Sequence, residues 1–279
     1  KGAVAGVDVR GGAPGTRETD LLNPINLVEK VHAIVLAGGS AFGLDAATGV
    51  MRYLEENKIG FNTGAAKVPI VPSAILYDLN IGRADVRPDA AMGYRAAASA
   101  SSDAPTEGNA GAGTGASAGK IFGMKRAMKA GVGTASINLN GTIIGALVAV
   151  NPFGDVIDPT NGTRIAGVRS GTTLQKMKRM RTSLVPRSNT VISVIATNAK
   201  LTKAQATKVA QMAQDGIART IRPAHTMFDG DTIFTLATGE KKADVSTVGA
   251  YAAEVLTEAI LRAVRMAASA GGLPGLFQK

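Results

Sequence analysis

The chain has 279 residues, of which 45% are hydrophobic, so it is long enough to bury a substantial core. It contains no cysteine and only two histidines, which excludes disulfides and cysteine nucleophiles and argues against a metal site built from histidines. Its 31 basic and 21 acidic residues give a net charge of +10, which raises the question of nucleic-acid binding. No apolar stretch reaches membrane-spanning length and nothing at the start is typical of a signal peptide, so we expect a cytoplasmic protein with no membrane partner. Because the chain begins at Lys1 rather than at a methionine, we expect that a further segment precedes it.

Strand-like and helix-like segments alternate along the sequence. The predicted elements are, in chain order, a strand at 31–36, a helix at 44–56, a helix at 89–101, strands at 133–139 and 143–150, a strand at 191–197, a helix at 202–221, a strand at 231–238 and a helix at 246–270. The dipeptide Asn140-Gly141 between two apolar runs predicts a hairpin, and Thr202 with Gln205 predicts a capping box. We therefore expect one layered α/β domain over residues 1–279.

Two glycine-rich segments are similar to phosphate-binding loops but do not match them. Residues 38–43 lie between a strand and a helix, where backbone N–H groups favour anions, but Ser40 occupies the second glycine position of the dinucleotide motif. Residues 111–120 end in Gly119-Lys120, yet Thr114 and Ile121 replace a glycine and the Ser or Thr of the nucleotide-hydrolase loop. Nucleotide hydrolysis is therefore excluded. Lys120 is either a solvated lysine beside a turn or a lysine that a small-residue loop delivers to an active site.

A run of basic residues without any acidic residue precedes residue 189. Its members are Arg164, Arg169, Lys176, Lys178, Arg179, Arg181 and Arg187. No aromatic residues alternate with them for base stacking. The run is typical of a solvated, mobile connector, and we expect no nucleic-acid partner.

This connector ends at Asn189-Thr190, and a β-branched strand begins at once. A chain cut at this bond would begin with a threonine that carries a hydroxyl and a free α-amine on one residue. A hydroxyl nucleophile needs a base, and an α-amine with a pKa near 8 supplies one. Thr190 is ordinarily explained as a β-branched strand residue, so the segment by itself does not establish a nucleophile.

Polar residues follow several predicted strands, where sites commonly form. Asp229-Gly230-Asp231 opens one strand, and Tyr77 and Asn151 follow others. The two carboxylates could orient an amine and a hydroxyl or bind a metal, but the ordinary explanation is a turn capped by acidic side chains. His225 lies nearby, but no carboxylate stands at a diagnostic spacing from it for a general base.

Taken in order, these segments resemble the DmpA-type aminopeptidase family, whose relatives include β-aminopeptidases and 6-aminohexanoate-oligomer hydrolases. The resemblance covers nearly the whole chain and rests on residues 2–20, 37–45, 73–78, 111–120, 150–152, 189–198 and 225–234. It implies a four-layer αββα sandwich, with layers like those of N-terminal nucleophile hydrolases but with its own connectivity. It also implies a homo-oligomer, often a tetramer of cleaved pairs.

The resemblance further implies an inactive precursor that cuts itself between Asn189 and Thr190, giving fragments 1–189 and 190–279. Thr190 falls on the nucleophile position, and Tyr77, Lys120, Asn151, Asp229 and Asp231 fall on other active-site positions. Lys120 and Asn151 would stabilise an oxyanion, the two aspartates would hold the new ammonium or polarise the hydroxyl, and Tyr77 would line the substrate pocket. No metal or organic cofactor is implied.

Two amide substrates are compatible with this resemblance: short peptides or amino acid amides, and 6-aminohexanoate oligomers. Some aminopeptidase members carry Ser-Gly-acid where this chain has Asp229-Gly230-Asp231, which is the form of the nylon-oligomer group. From other classes, a phosphate- or nucleotide-binding regulatory module would rest on the two glycine loops, and nucleic-acid binding would rest on the basic connector.

Overall fold

The computed structural model describes residues 2–179 and 189–278. Within them the strands are β1 (Ala3–Val9), β2 (Thr16–Arg17), β3 (Lys30–Val31), β4 (Val35–Ala37), β5 (Phe61–Asn62), β6 (Lys67–Val68), β7 (Ser73–Ile75), β8 (Ser117–Ala118), β9 (Met128–Lys129), β10 (Val132–Leu139), β11 (Thr142–Asn151), β12 (Asp155–Ile157), β13 (Arg164–Ala166), β14 (Thr190–Ala199), β15 (Ile221–Arg222) and β16 (Thr232–Lys241). The α-helices are α1 (Ala46–Glu56), α2 (Ala90–Ala98), α3 (Thr173–Arg179), α4 (Lys203–Thr220) and α5 (Val245–Arg265). Short 3₁₀ helices cover Asp20–Leu22, Ser40–Asp45, Gly111–Gly113 and Met124–Arg126.

The central element is a six-stranded sheet in the order β10-β11-β14-β16-β1-β3. Its neighbours are antiparallel except for β14 and β16, which run parallel and are connected through α4. A crossover helix is what a parallel pair requires, because the chain must return to the same end of the sheet. A second, three-stranded sheet has the order β2-β7-β4.

Side-chain alternation along β14 separates two cores. Val191 and Ile195 belong to the core that the sheet forms with α4 and α5. Ile192, between them in sequence, packs in a second core with Phe234 and with Ala74 of β7. Successive strand residues point to opposite faces, so β14 is buried on both sides.

A third core lies between α1 and the small sheet. Ala47, Val50 and Leu54 of α1 pack there with Val71 and with the partly buried Val35 of β4, and α2 packs on α1. The layers are therefore α4/α5, the six-stranded sheet, the three-stranded sheet, and α1/α2. This confirms the expected αββα sandwich.

The local predictions with a clear chemical signal are confirmed. Asn140 and Gly141 have φ values of 51° and 91°, and they join β10 to β11 with Leu139 opposite Thr142, as a hairpin of this type requires. Thr202 caps α4, and both hydrogen bonds of the capping box with Gln205 are present.

The prediction of one continuous strand at 31–36 was wrong, because the strand is interrupted in the middle of this range. It divides into β3, which pairs with β1, and β4, which pairs with β7. The chain passes from one sheet to the other between them. Smaller differences concern ends: α1 begins at Ala46 after a 3₁₀ turn, α2 ends at Ala98 and α5 ends at Arg265.

Part of the basic connector forms a strand and a helix, whereas we expected a solvated, mobile segment. Arg164 lies in β13, where its guanidinium donates to the Val168 carbonyl, and α3 contains three more of the basic residues. Residues 180–188, with Arg181 and Arg187, lie outside the described residues. Among the helices that the structure describes, none combines the length and apolar character needed to span a bilayer.

Phe234 offers a direct test of the packing between the two sheets, because its side chain is fully buried in the second core. Phe234→Ala should lower the free energy of unfolding by about 3–5 kcal/mol, through lost burial and the cavity left behind. Phe61→Ala, at a position 38% exposed, is the matched control and should cost less than about 1 kcal/mol. Urea unfolding measures both, and equal losses would contradict the assignment of Phe234 to a packed core.

Candidate active site

Thr190 lies where the two sheets meet at one end of the sandwich. It is the first residue of β14 and stands opposite Asn151, the last residue of β11. Both residues are buried. They share the sheet face of Ile192 and Ala149, which pack in the core between the sheets. Tyr77 follows β7 of the second sheet, and its carbonyl accepts a hydrogen bond of 2.9 Å from the Asn151 side-chain amide.

The peptide bond between Asn189 and Thr190 is held from both sides by residues 228–231. The Asn189 N–H donates to the Phe228 carbonyl at 2.8 Å, and the Asn189 carbonyl accepts from the Gly230 N–H at 2.8 Å. Beyond the bond, the Val191 N–H donates to Oδ1 of Asp231 at 2.8 Å. The Thr190 hydroxyl donates to the Asn189 carbonyl as well. A carbonyl that accepts two hydrogen bonds is polarised toward nucleophilic attack.

Only a glycine fits between the two aspartates, because there is no room for a side chain at position 230. A Cβ atom on Gly230 would lie 2.9 Å from Oγ1 of Thr190 and 2.7 Å from the Ala13 carbonyl oxygen. Either approach is closer than packed atoms allow. The N-terminal segment covers the same turn, since the Ala13 N–H donates to the Asp229 carbonyl at 2.8 Å. Glycine thus lets the backbone N–H of residue 230 reach the bond without pressing on the hydroxyl.

Lys120 is buried in the site rather than solvated beside a turn. Its ammonium donates to the Ser117 carbonyl at 3.0 Å and to the backbone and side-chain oxygens of Asn151 at 2.9 and 2.6 Å. Three acceptors match the three N–H bonds of an ammonium group. The Ser117 N–H also donates to the Asn151 side-chain oxygen. The orientation of the Asn151 amide is therefore fixed, with its oxygen toward Lys120 and its nitrogen toward Tyr77.

Burial shifts the pKa values of two site residues, Lys120 and Asp229, toward pH 7. It lowers the pKa of Lys120 to about 7, against the opposing attraction of Asp229 and Asp78. Burial, together with repulsion from Asp231, raises the pKa of Asp229 to about 6. Such shifts are typical of sites that transfer protons or stabilise developing charge.

Each aspartate of the turn has its own set of donors. Asp229 accepts from the Phe153 N–H at 3.0 Å and from the N–H and hydroxyl of Thr226. Asp231 accepts from Val191, from the His225 N–H at 3.1 Å and from the His225 imidazole Nδ1 at 2.8 Å. His225 therefore has a carboxylate partner that sequence spacing did not reveal, because a turn brings residues six apart together.

Both glycine loops pack against the side chain of Asp78. The Gly39 N–H donates to Oδ1 of Asp78 at 2.7 Å, and Cβ atoms on Gly38 and Gly115 would lie 2.3 and 2.4 Å from Oδ2. The Asp78 carboxylate therefore fills the place where a phosphate-binding module would hold its anion. Within the described residues, no group of three or more His, Asp or Glu side chains is arranged to hold a metal ion.

A small pocket opens beside this cluster. The empty space along it, part of which is open solvent, is about 260 Å³, and Tyr77, Asp78, Ser117 and Lys120 are among its lining residues. The six residues that the resemblance assigns to the active site thus lie close together: Thr190 is opposite Asn151, Lys120 and Tyr77 are hydrogen-bonded to Asn151, and Asp229 and Asp231 belong to the turn that holds the Asn189–Thr190 bond.

A family model described as peptidase family S58 matches residues 1–276. The chain belongs to this family. It is 44% identical to an aminopeptidase of Mycobacterium leprae, itself described as uncharacterized, over 99% of this chain and 84% of that one. It is also 33% identical to the 6-aminohexanoate-oligomer endohydrolase of a Kocuria species, over 95% of this chain and 78% of that one.

Two solved structures share the fold. A β-aminopeptidase from a Burkholderia species superposes with a TM-score of 0.72 at 23% identity, over 99% of this chain and 78% of that one. The L-aminopeptidase D-Ala-esterase/amidase of Ochrobactrum anthropi, described as a variant of the Ntn-hydrolase fold, gives 0.71 at 21% identity, over 98% and 76%. This S58 peptidase is therefore an amide-bond hydrolase on an Ntn-hydrolase-like sandwich, which argues against the regulatory-module alternative.

The buried Lys120 predicts a pH-dependent stability. Its pKa is about 7 in the folded chain, so the unfolded chain binds more protons between about pH 7 and 10.5, and stability rises with pH in this window. Relative to Lys120→Met, the parent's free energy of unfolding should increase by on the order of 2–3 kcal/mol from pH 7 to 9.5. Both chains carry Thr190→Ala, so that neither is cut.

Urea unfolding at the two pH values measures this difference. Lys208→Met in the same background, at an exposed position of α4, should show no comparable change between them. A flat difference for Lys120→Met would mean that Lys120 keeps its proton throughout.

Proposed function

We propose that this S58 peptidase is a self-processing hydrolase with Thr190 as its nucleophile. The observation that carries the proposal is the pair of hydrogen bonds that the Asn189 carbonyl oxygen accepts. The Gly230 N–H and the Thr190 hydroxyl both donate to its oxygen, at the first residue of a strand buried on both faces. An ordinary strand residue has no need of a glycine turn fitted around its hydroxyl.

Maturation follows from this geometry. Oγ1 of Thr190 attacks the Asn189 carbonyl carbon, and the Gly230 N–H stabilises the negative charge on the oxygen. The C–N bond breaks, the hydroxyl proton goes to the Thr190 nitrogen, and an ester joins the two residues. Water then hydrolyses the ester, which leaves fragment 1–189 with a carboxylate and fragment 190–279 with a free threonine hydroxyl and amine.

In the mature enzyme the free α-amine of Thr190 is the base for its own hydroxyl. The hydroxyl attacks the substrate amide, an acyl-enzyme ester forms as the amine leaves, and water releases the acid. The Asn151 amide has two N–H bonds, of which one goes to Tyr77, so the second is our candidate donor to the oxyanion. Lys120 fixes that amide and adds positive charge. Asp231 holds the residue after the new amine through the Val191 N–H, Asp229 places a second carboxylate in the same turn, and Tyr77 lines the pocket.

Two classes of substrate agree with the family relationships. The M. leprae relative is named an aminopeptidase and the Kocuria relative a 6-aminohexanoate-oligomer endohydrolase. The substrates are accordingly short peptides or amino acid amides, or linear 6-aminohexanoate oligomers. No metal or organic cofactor enters any step.

The proposal includes assembly into a homo-oligomer, a tetramer of cleaved pairs. Ile25 and Leu27 are 88% and 83% exposed on one loop, and neighbouring exposed apolar side chains favour contact with another protein surface. Light scattering of the cleaved protein gives the number of pairs.

Thr190→Ala should abolish both self-cleavage and amide hydrolysis, because the hydroxyl performs the first step of each. Thr197→Ala is the matched control: Thr197 lies on the same strand, and its hydroxyl donates to the Ile143 carbonyl, away from the site. It should retain cleavage. Gel electrophoresis and an amide-hydrolysis assay are the readouts, and an uncut yet active Thr190→Ala chain would contradict the mechanism.

The substrate class is decided by parallel assays on an aminoacyl-p-nitroanilide and on a linear 6-aminohexanoate oligomer. We expect hydrolysis of at least one, and a ratio of kcat/KM values above about 100, or roughly 3 kcal/mol, identifies the class. Thr190→Ala serves as the blank for both. Turnover of neither by the cleaved wild-type chain would contradict the proposed substrates.

A further inference from the structure

His225 is the group in this site that the proposed mechanism does not use. Its side chain is 20% exposed, and its Nδ1 lies 2.8 Å from Oδ2 of Asp231, whose own side chain is 2% exposed. The His225 backbone N–H reaches the same oxygen at 3.1 Å. One residue therefore donates twice to one carboxylate oxygen.

The two aspartates differ mainly in this contact. Each accepts backbone N–H groups on both oxygens, and each accepts one side-chain donor in addition. For Asp229 that donor is the Thr226 hydroxyl, and for Asp231 it is the His225 imidazole. Neighbouring residues of one turn thus hold the two carboxylates separately.

Among the described residues, the His225 imidazole has no side-chain hydrogen bond other than the one to Asp231. A carboxylate only accepts hydrogen bonds, so Nδ1 is the donor in this contact, and Nε2 is the other polar atom of the ring. Nε2 is buried and has no hydrogen-bond partner among the residues that the structure describes. A histidine that served to bridge two parts of the fold would use both nitrogens. A buried nitrogen without a partner costs free energy, so the contact with Asp231 is the polar interaction that explains the ring.

We propose that His225 is a positioning residue that acts through Asp231 on the Asn189–Thr190 bond. Oδ1 of Asp231 accepts from the Val191 N–H, one residue beyond the nucleophile. By fixing Oδ2, His225 fixes the rotation of the carboxylate and with it the start of β14. This inference rests on the proposed function for its effect on turnover, but the structural link to Val191 does not depend on cleavage.

The backbone at His225 determines which substitutions are informative. Its φ is 54°, in the left-handed region where Asn and Gly are tolerated better than most residues. His225→Asn keeps an N–H donor close to the position of Nδ1, whereas His225→Gly keeps the backbone and removes the donor. Comparing these two variants therefore separates the effect of losing the hydrogen bond from the effect of backbone strain. His32→Asn, at the chain's other histidine, is the matched control.

The kinetic test compares self-cleavage and amide hydrolysis in these variants. His225→Gly should slow cleavage and lower kcat by roughly 10- to 100-fold, as expected for loss of a hydrogen bond to a charged group, with KM changed less than about threefold. His225→Asn should restore both rates to within about threefold of wild type, and His32→Asn should match wild type. Equal losses in His225→Asn and His225→Gly, or no loss in either, would overturn the proposal.

Amide exchange separates this inference from the proposed function. In chains that carry Thr190→Ala, and so stay uncut, the Val191 amide should exchange about 10-fold or more faster with His225→Gly than with His225 or His225→Asn. An unchanged Val191 amide would overturn the positioning role even if the wild-type chain cleaves itself. A wild-type chain that is not cut at Asn189–Thr190 contradicts the proposed function alone, and the exchange result still decides the role of His225. Should His225→Gly fail to fold, His225→Asn still decides the proposal by itself, because slower cleavage or faster Val191 exchange with the donor retained would overturn it.

Discussion

The hydrogen bonds between residues 228–231 and the Asn189–Thr190 peptide are the constraint on which the rest of the site depends. One turn accepts from the N–H before the bond, donates to the carbonyl at the bond, and accepts from the N–H after it. The peptide therefore cannot rotate freely while the hydroxyl approaches. Positioning of reacting groups of this kind accounts for a large part of the rate in enzymes generally.

The fold supplies the rigidity that this hold requires. β14 is packed on α4 and α5 through one face and on the second sheet through the other, so its first residue is placed by two cores. β16 runs parallel beside it, and the Asp229–Asp231 turn leads directly into β16. The bond and the turn that holds it are thus attached to neighbouring strands of one sheet.

Buried charge is the second feature that defines the site. Lys120 and Lys129 are both buried, and burial lowers their pKa values to about 7 and about 8. Lys129 donates to the carbonyls of Gly113 and Ala130, and Asp78 attracts both lysines while it closes the two glycine loops. Unpaired charges are costly to bury, which explains why each ammonium is surrounded by oxygen atoms. Gly115 makes room for the Asp78 carboxylate, since a Cβ atom there would lie 2.4 Å from its Oδ2.

The sequence predicted those parts of the structure whose cause is local. Asn140-Gly141 specifies a hairpin and Thr202 with Gln205 a helix start, since each acts within a few residues. The division of residues 31–36 between two sheets has no local cause and could not be read from hydrophobicity. The site depends on contacts between distant residues: Lys120 and Asn151 are 31 residues apart, and Asp231 and Val191 are 40 apart. Those residues were found through family resemblance, and the role of His225 needed the structure itself.

The central claim is that the bond held by this turn is the one that breaks. Denaturing intact-mass measurement of freshly purified wild-type protein, with N-terminal sequencing of any small fragment, tests it most directly. We predict two fragments, the smaller beginning Thr190-Val191-Ile192. A chain that stays whole over days, or one cut at another bond, would contradict the account.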